Sequence, residues 1–197
     1  MLRFVIHASF VLVAGSALAV TAGKAAPDFS VADSNGKTVK LSDYKGKFVV
    51  LEWTNPECPF VRAQYGADAM QALQKEAGAK EVVWLTVNST NKSSDEYKSG
   101  AQMNAWMKEK GAAQKAILID ATSETGRAYD AKTTPQMFVI DPAGKIVYAG
   151  AIDDKRSARE SDRKTANNYV RAALNETLAG KPVTVASTTP YGCSVKY

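Results

Sequence analysis

The sequence predicts one α/β domain built on a mixed β-sheet that is flanked by helices. Two short apolar runs rich in β-branched residues, Phe48–Leu51 and Glu81–Val87, are each followed by helical patterns, as is typical of parallel strands. Further on, Gln136–Ile140 and Lys145–Ala149 flank the turn Asp141–Gly144 and predict an antiparallel hairpin. Strands alternating with helices, then a hairpin, indicate both strand orientations in one sheet. The 197 residues suffice for one such domain.

The first nineteen residues have the pattern of a secretory signal peptide. Arg3 supplies a positive charge, Phe4–Ala14 is mostly apolar, and Ala17-Leu18-Ala19 is a small-x-small cleavage motif. The apolar stretch is too short for a firm membrane span, and an uncleaved anchor is the alternative. We therefore expect an exported, periplasmic or extracellular protein without stable membrane insertion. In such a compartment its two cysteines can form a disulfide.

Residues 20–180 are expected to form the domain, and the elements follow in chain order. Asp28–Ala32 and Thr38–Leu41 surround an Asn-Gly pair that tolerates positive φ, so an N-terminal β-hairpin extension is predicted. A helix is predicted from Cys58 to about Gly78, with a break at Gly66 and a new N-cap at Asp68. A second helix is predicted to begin at a capping box formed by Ser93 and Glu96 and to end near Gly111. The remaining predicted elements are a strand Ala116–Ile119, a short helix Ser123–Tyr129, and a helix Asn167–Leu178 that Gly180 ends.

Two segments near the end carry less regular patterns. Asp153–Thr165 is densely charged and is interpreted as a solvated loop or helix start, with a docking surface for a partner as the alternative. Residues 181–197 are predicted to be an extended C-terminal tail.

Charge and histidine content exclude several functions. The net charge of +5 is mild and its basic residues are scattered, so no nucleic-acid partner is expected. The single histidine, His7, lies in the leader. The mature chain therefore has no histidine for a Cys–His pair, a metal site or a general base, and we expect no metal and no cofactor.

Cys58 is the predicted chemical centre. The buried strand through Glu52 and Trp53 runs into a turn, and Pro59 suits the first turn of the helix that follows. Cys58 thus stands at the amino end of a helix, where the helix dipole stabilises thiolates. The alternative, a buried structural cysteine, fits this position less well.

The strand, the turn and the W-x-x-x-x-C-P motif resemble the active-site region of the thioredoxin-like superfamily. The similarity is to its secreted redoxins, which are related to alkyl hydroperoxide reductase and to the cytochrome-maturation thioredoxins. The segments Ala26–Phe29, Leu41–Lys47 and Thr133–Asp141 agree in order and spacing, so that about residues 26–150 are covered. The resemblance implies a thioredoxin-like fold and thiol chemistry.

The resemblance also implies a substrate-binding edge. Pro135 matches the proline that is cis in this family and presents a backbone edge to bound thiol or peptide. Thr134 and Trp53 belong to the same motifs and complete, with Arg62, the predicted substrate-binding residues.

The departures from the family are as informative as the matches. A C-x-x-C pair would need cysteine at Val61, so Cys58 must resolve with Cys193 or with an external thiol. Peroxiredoxins have threonine where Asn55 stands and arginine where Pro135 stands. Arg62 is a candidate for the missing arginine, and an exposed surface charge is the alternative.

Glu52 and Cys193 complete the predicted catalytic set with Cys58. A carboxylate in the central strand is expected to be desolvated, which raises its pKa and suits proton exchange with a thiol; an exposed face or a buried salt bridge are the alternatives for Glu52. Cys193 is interpreted as the resolving cysteine. A permanent structural disulfide with Cys58, a free thiol and an interchain pair stay open for it.

The predicted function is therefore an exported thiol oxidoreductase that acts by thiol–disulfide exchange. Its expected partners are a thiol or disulfide protein, or a peroxide, together with an external thiol reductant. A peroxiredoxin-like peroxide reductase is the first alternative. From another class, the alternative is a non-catalytic binding module with a structural disulfide.

Overall fold

A five-stranded mixed sheet is the centre of this computed structural model, which describes residues 20–197. The predicted signal segment, residues 1–19, lies outside the described residues. In chain order the strands are β1 (Ser30–Ala32), β2 (Thr38–Lys40), β3 (Val49–Trp53), β4 (Val83–Asn88), β5 (Ala116–Ile119), β6 (Thr133–Thr134), β7 (Gln136–Ile140), β8 (Ile146–Gly150) and β9 (Cys193–Ser194). The α-helices are α1 (Pro59–Gly66), α2 (Ala69–Gly78), α3 (Gly100–Glu109), α4 (Glu124–Ala128) and α5 (Tyr169–Leu178), and two short 3-10 helices span Leu41–Tyr44 and Glu160–Thr165.

The strand order of the central sheet is β5-β4-β3-β7-β8. Strands β3, β4 and β5 are parallel, whereas β7 is antiparallel to both β3 and β8. The predicted mixed sheet flanked by helices and the N-terminal hairpin of β1 and β2 are thereby confirmed. Within residues 20–197, no helix is long and apolar enough to cross a membrane.

The two faces of β3 build two separate cores. Val50 packs with α1, α2, α3 and α5 in one core, which also contains Cys58. Val49, Leu51 and Trp53 point to the other face. The core on that face also contains Val39 of β2 and Tyr129, which directly follows α4. Because successive strand residues alternate between faces, Glu52 lies on the Cys58 side of the sheet.

The predicted helix after Cys58 breaks at Gly66, as the sequence indicated. Asp68 is the residue before α2 and has a left-handed backbone with φ of 56°, but its side chain makes no capping hydrogen bond. The left-handed residue interrupts the helical backbone and separates α1 from α2.

The predicted start of the next helix is wrong. The chain contains two candidate capping boxes, and α3 uses the second, Ser99 with Gln102, whose side chains reciprocally bond the backbone. At the first, the Ser93 backbone and hydroxyl both donate to Asn91, and the Glu96 carboxylate binds elsewhere. Strand β4 also begins two residues later than predicted, because Glu81 has φ of 59° and cannot extend the strand.

The C-terminal tail is more ordered than an extended surface segment. It contains the short strand β9, which pairs antiparallel with β6, and a buried Tyr191. The interpretation of Asp153–Thr165 as solvated is also wrong at two positions, since Asp153 and Arg163 are buried and form an ion pair. The tail and the charged segment therefore belong to the packed domain.

Candidate active site

Cys58 is the N-cap residue of α1, with Pro59 as the first helical residue. The turn before it is held by Asn55, whose carbonyl oxygen accepts from the Cys58 backbone N–H at 3.0 Å and whose side-chain oxygen accepts from the Glu57 N–H at 2.8 Å. The Asn55 amide in turn donates to the Glu96 carboxylate at 2.9 Å. The thiol is thus fixed at the positive end of a helix by a rigid turn.

The Cys58 thiol faces the loop before β7. Its Sγ lies 3.0 Å from the carbonyl oxygen of Thr134 and donates to it. The Thr134–Pro135 peptide is cis. Cys58 is 1% exposed, so partner molecules cannot reach it in this arrangement.

The tail brings the second cysteine to the same place. In the pairing of β6 with β9, Cys193 stands opposite Thr134, the residue that holds the Cys58 thiol. The approach is so close that a Cβ on Gly192 would lie 2.0 Å from the Thr134 carbonyl oxygen, and Gly192 has φ of 135°. Glycine is therefore required at this position.

Cys58 and Cys193 are both free thiols, and Cys193 packs against the core cluster that contains Cys58. Burial raises the pKa of Cys193 to about 12, and the neighbouring Cys58 acts in the same direction. The Cys193 thiol is consequently protonated at neutral pH, so a proton must leave before its sulfur can attack.

Glu52 is fully buried on the Cys58 side of the sheet. Its carboxylate accepts from four side chains, which are Tyr65 at 2.8 Å, Trp84 at 2.8 Å, Gln74 at 3.2 Å and Thr86 at 3.3 Å. Burial raises its pKa to about 7, and these hydrogen bonds oppose the rise only in part. Among the described contacts, Glu52 reaches α1 through Tyr65 and makes no hydrogen bond to Cys58.

The raised pKa predicts a pH-dependent stability that depends on Glu52. The folded state favours the neutral form of Glu52. The contribution of Glu52 to the free energy of unfolding is therefore complete below the ordinary pKa of 4.5 and is lost as the pH rises through about 7. We expect the free energy of unfolding to fall by about 3 kcal/mol across this window, at about 1.4 kcal/mol per pKa unit, and expect Glu52→Gln to remove that fall. Urea unfolding at several pH values between 4 and 8 measures it.

The control is Glu57→Gln. Lys98 and Arg62 hold the pKa of Glu57 below its usual range, so this exchange should leave the fall in place. A constant difference between wild type and Glu52→Gln across the pH range would contradict the assignment.

Arg62 lies outside the thiol contacts. Its Nε donates to the Pro56 carbonyl at 2.6 Å, and its Nη2 pairs with Glu57 at 2.6 Å, while Lys98 binds the other Glu57 oxygen at 2.7 Å. The side chain is 56% exposed. Arg62 thus binds the solvent-facing side of the turn before Cys58, through Pro56 and Glu57.

Trp53 is the predicted site residue that the structure does not bring to Cys58. It is wholly buried in the opposite core, where its ring packs against Tyr129 and Phe138 and its indole N–H donates to Ser89 at 3.0 Å. As the last residue of β3, Trp53 points away from the thiol because Glu52 points toward that side.

One group near the site was missed by sequence reasoning. Asp153, Arg163 and Tyr191 form a buried network that also contacts Gln64 of α1. The network joins three separate parts of the chain, and the only sequence signal is the charge of Asp153 and Arg163. That charge predicts a solvated segment, whereas the structure buries both side chains.

The fold and the site define a thioredoxin-like redoxin: a central mixed sheet, a cysteine at the start of α1, and a cis-proline loop facing it. The chain belongs to the AhpC/TSA family, whose sequence profile matches residues 22–149.

Named relatives are redox proteins of related type. The thiol-disulfide oxidoreductase ResA of Bacillus subtilis (strain 168) is 29% identical over 128 residues, which are 65% of this chain and 66% of ResA. The match therefore spans just under two-thirds of that relative.

Two solved structures extend the similarity. One, an uncharacterized conserved protein from Geobacillus kaustophilus, has a TM-score of 0.78 and 30% identity, covering 90% of this chain and 93% of that one. The other, the exposed lipoprotein thioredoxin of Streptococcus pneumoniae, has a TM-score of 0.50 and 29% identity, covering 71% of this chain and 99% of that one.

Proposed function

We propose that the protein is an exported thiol–disulfide oxidoreductase in which Cys58 is the nucleophile and Cys193 the resolving cysteine. The observation that carries the proposal is the pairing of Cys193 with Thr134, whose carbonyl oxygen also accepts from the Cys58 thiol at the amino end of α1. The name of ResA, a thiol-disulfide oxidoreductase, supports the same reaction class.

The proposed reaction transfers two electrons. The Cys58 thiolate attacks one sulfur of a protein disulfide, the substrate S–S bond breaks, and the other substrate sulfur leaves as a thiolate and takes up a proton. Cys193 then loses its proton and attacks Cys58, which forms the 58–193 disulfide and releases the second substrate thiol. Two equivalents of an external thiol restore the dithiol form and are themselves oxidised to a disulfide.

The buried position of Cys58 adds one requirement. A partner can reach Cys58 only after the tail has moved off β6, because the thiol is 1% exposed beneath it. The backbone edge at Thr134 and Pro135 then becomes free to pair with an extended partner segment. Arg62, at the outer rim of the turn, is in a position to contact that partner.

Glu52 is the proposed proton carrier. At a pKa of about 7 it is partly protonated at neutral pH, and a group of this kind can both accept and return a proton during thiol exchange. Its link to α1 through Tyr65 supports this role.

The contacts of two side chains favour thiol exchange over peroxide reduction. The Arg62 guanidinium is engaged with Pro56 and Glu57, so it is not available to polarise a peroxide at Cys58. The Asn55 side chain, at the position of the peroxidatic threonine, is engaged with Glu57, Thr90 and Glu96. A peroxiredoxin-like activity, through a sulfenic acid on Cys58, is accordingly the weaker candidate.

Export rests on the leader pattern of residues 1–19 and on the exposed lipoprotein thioredoxin among the similar structures. We propose cleavage of this leader. Export would expose the cysteine pair to oxidants, which suits a reversible disulfide.

The test is to compare two substrates with the reduced protein. A disulfide-bonded peptide should be reduced catalytically in the presence of dithiothreitol, and hydrogen peroxide should be consumed more slowly. Rapid peroxide consumption without disulfide exchange would favour the peroxiredoxin-like alternative. Turnover of neither substrate would favour the non-catalytic binding module.

A further inference from the structure

A buried polar cluster anchors the tail just before Cys193. We call it the tail clamp and define it by Asp153, Arg163, Tyr191 and Gln64. The side chains of Asp153 and Arg163 are each 2% exposed and are joined by an ion pair of 2.7 Å. The Tyr191 hydroxyl donates to Asp153 Oδ1 at 2.5 Å and accepts from Arg163 Nη1 at 3.0 Å.

The clamp ties the tail to α1, the helix that begins at Cys58. Gln64 of α1 donates to Asp153 Oδ2 at 2.7 Å. The Tyr191 ring also packs edge-on against Phe60 of α1, with ring centroids 5.8 Å apart. Tyr191 is therefore connected to the Cys58 helix by its ring and, through Asp153, by its hydroxyl.

The guanidinium of Arg163 is itself held in place. Its Nη2 donates to the carbonyl oxygens of Lys155 and Ser157 at 2.8 and 3.0 Å. A buried ion pair costs desolvation and adds little unless such additional bonds satisfy it. Both terminal nitrogens of Arg163 are therefore hydrogen-bonded, and the clamp anchors the tail at Tyr191 inside the protein.

Tyr191 stands two residues before Cys193. When Tyr191 is fixed, the Cα atom of Cys193 can lie at most about 7 Å from the Cα atom of Tyr191. Beyond Cys193 the tail is fixed again, by Val195 N–H to the Lys132 carbonyl at 3.0 Å and by Asn91 N–H to the Lys196 carbonyl at 2.7 Å. The chain is therefore held on both sides of Cys193, which pairs with Thr134.

We infer that Tyr191, Asp153 and Arg163 are positioning residues for the cysteine pair. They hold Cys193 against Cys58 in the dithiol form and so raise the effective concentration of one thiol at the other. This inference rests on the proposed function. It adds that these three residues set the equilibrium between the dithiol and the disulfide form.

The equilibrium is written with a low-molecular-weight disulfide as oxidant. The protein dithiol and one glutathione disulfide yield the protein disulfide and two glutathione thiols, so that two electrons and two protons pass to the oxidant. The equilibrium constant reports the effective concentration of the two thiols.

The experiment compares this constant in wild type and Tyr191→Phe. The exchange removes the hydroxyl and both of its bonds but keeps the ring on Phe60. We expect the constant to fall at least about tenfold, which corresponds to about 30 mV for a two-electron couple. We also expect faster maleimide labelling of Cys58, since the tail covers it less of the time.

The matched control is Tyr129→Phe. Tyr129 is a buried tyrosine in the opposite core whose hydroxyl donates to the Pro27 carbonyl at 2.7 Å, so its loss tests mere destabilisation. Its constant should stay within about twofold of wild type. Gly192→Ala, which meets the Thr134 carbonyl, should lower the constant through β9 and shows that the assay detects loss of docking.

The outcomes separate the two levels of the proposal. An unchanged constant in Tyr191→Phe, with a lowered one in Gly192→Ala, would overturn the clamp and leave the cysteine pair intact. Absence of any 58–193 disulfide in wild type would overturn the proposed function itself. Asp153→Asn, which keeps size and one acceptor oxygen, should also lower the constant and provides the measurement if Tyr191→Phe does not fold.

Discussion

Cys58→Ser should abolish catalytic disulfide exchange, down to the rate measured in buffer without protein. Serine keeps the shape of the side chain and an oxygen for the bond to Thr134, but its hydroxyl is no nucleophile for disulfides at neutral pH. The assay is reduction of a disulfide-bonded peptide with dithiothreitol as the electron donor.

Cys193→Ser is the matched variant for this experiment. It retains the first attack and should stop at a mixed disulfide between Cys58 and the peptide, which mass spectrometry detects. Residual turnover in Cys58→Ser, or a peptide adduct on Cys193 in that variant, would contradict the assignment of Cys58 as the nucleophile.

Arg163→Met should destabilise the protein by about 3–5 kcal/mol. The exchange leaves the Asp153 carboxylate buried without its cation, and removing one partner of a buried ion pair has a cost of this size. Tyr191 loses a donor at the same time, so the tail should become accessible to protease. Urea unfolding and limited proteolysis measure the two effects.

Arg159→Met is the control for this prediction. It makes the same exchange four residues away, in an ion pair with Asp162 in which the arginine is 79% exposed. Exposed pairs contribute at most about 1 kcal/mol, so little change is expected. Equal destabilisation by the two exchanges would show that the burial of Arg163 is not what matters.

The parts predicted well from sequence are those determined by local patterns. The β-branched run before Cys58 and the proline after it are enough to predict a strand-to-helix junction, and the structure has it. The antiparallel hairpin of β7 and β8 likewise follows from alternation around a turn. In each case neighbouring residues carry the whole signal.

The sequence predictions that are wrong concern segments in which two local patterns are equally good and tertiary contacts decide between them. Ser93 and Ser99 both begin capping boxes, but Glu96 is drawn to Asn55 and Lys196, so only Ser99 caps a helix. Its place in the motif before Cys58 predicts that Trp53 lies in the site. Its burial on the other face follows from the register of β3, which the sequence leaves open.

The tail clamp shows the same limit for charged residues. Arg159 and Arg163 stand in one charged run, yet one is exposed and the other buried. What distinguishes them is the acceptor set around Arg163, formed by Asp153, Tyr191 and two backbone carbonyls. Residues so distant in sequence cannot be paired by local patterns.

The central claim is that Cys58 and Cys193 form a reversible redox pair within one chain. The most direct measurement is to equilibrate the protein in glutathione buffers of graded potential, trap the thiols in acid, alkylate them and map the peptides. We predict one intrachain 58–193 disulfide whose amount follows the buffer potential. No such pair in any buffer, or a pair that persists below about −300 mV as structural disulfides do, would contradict the claim.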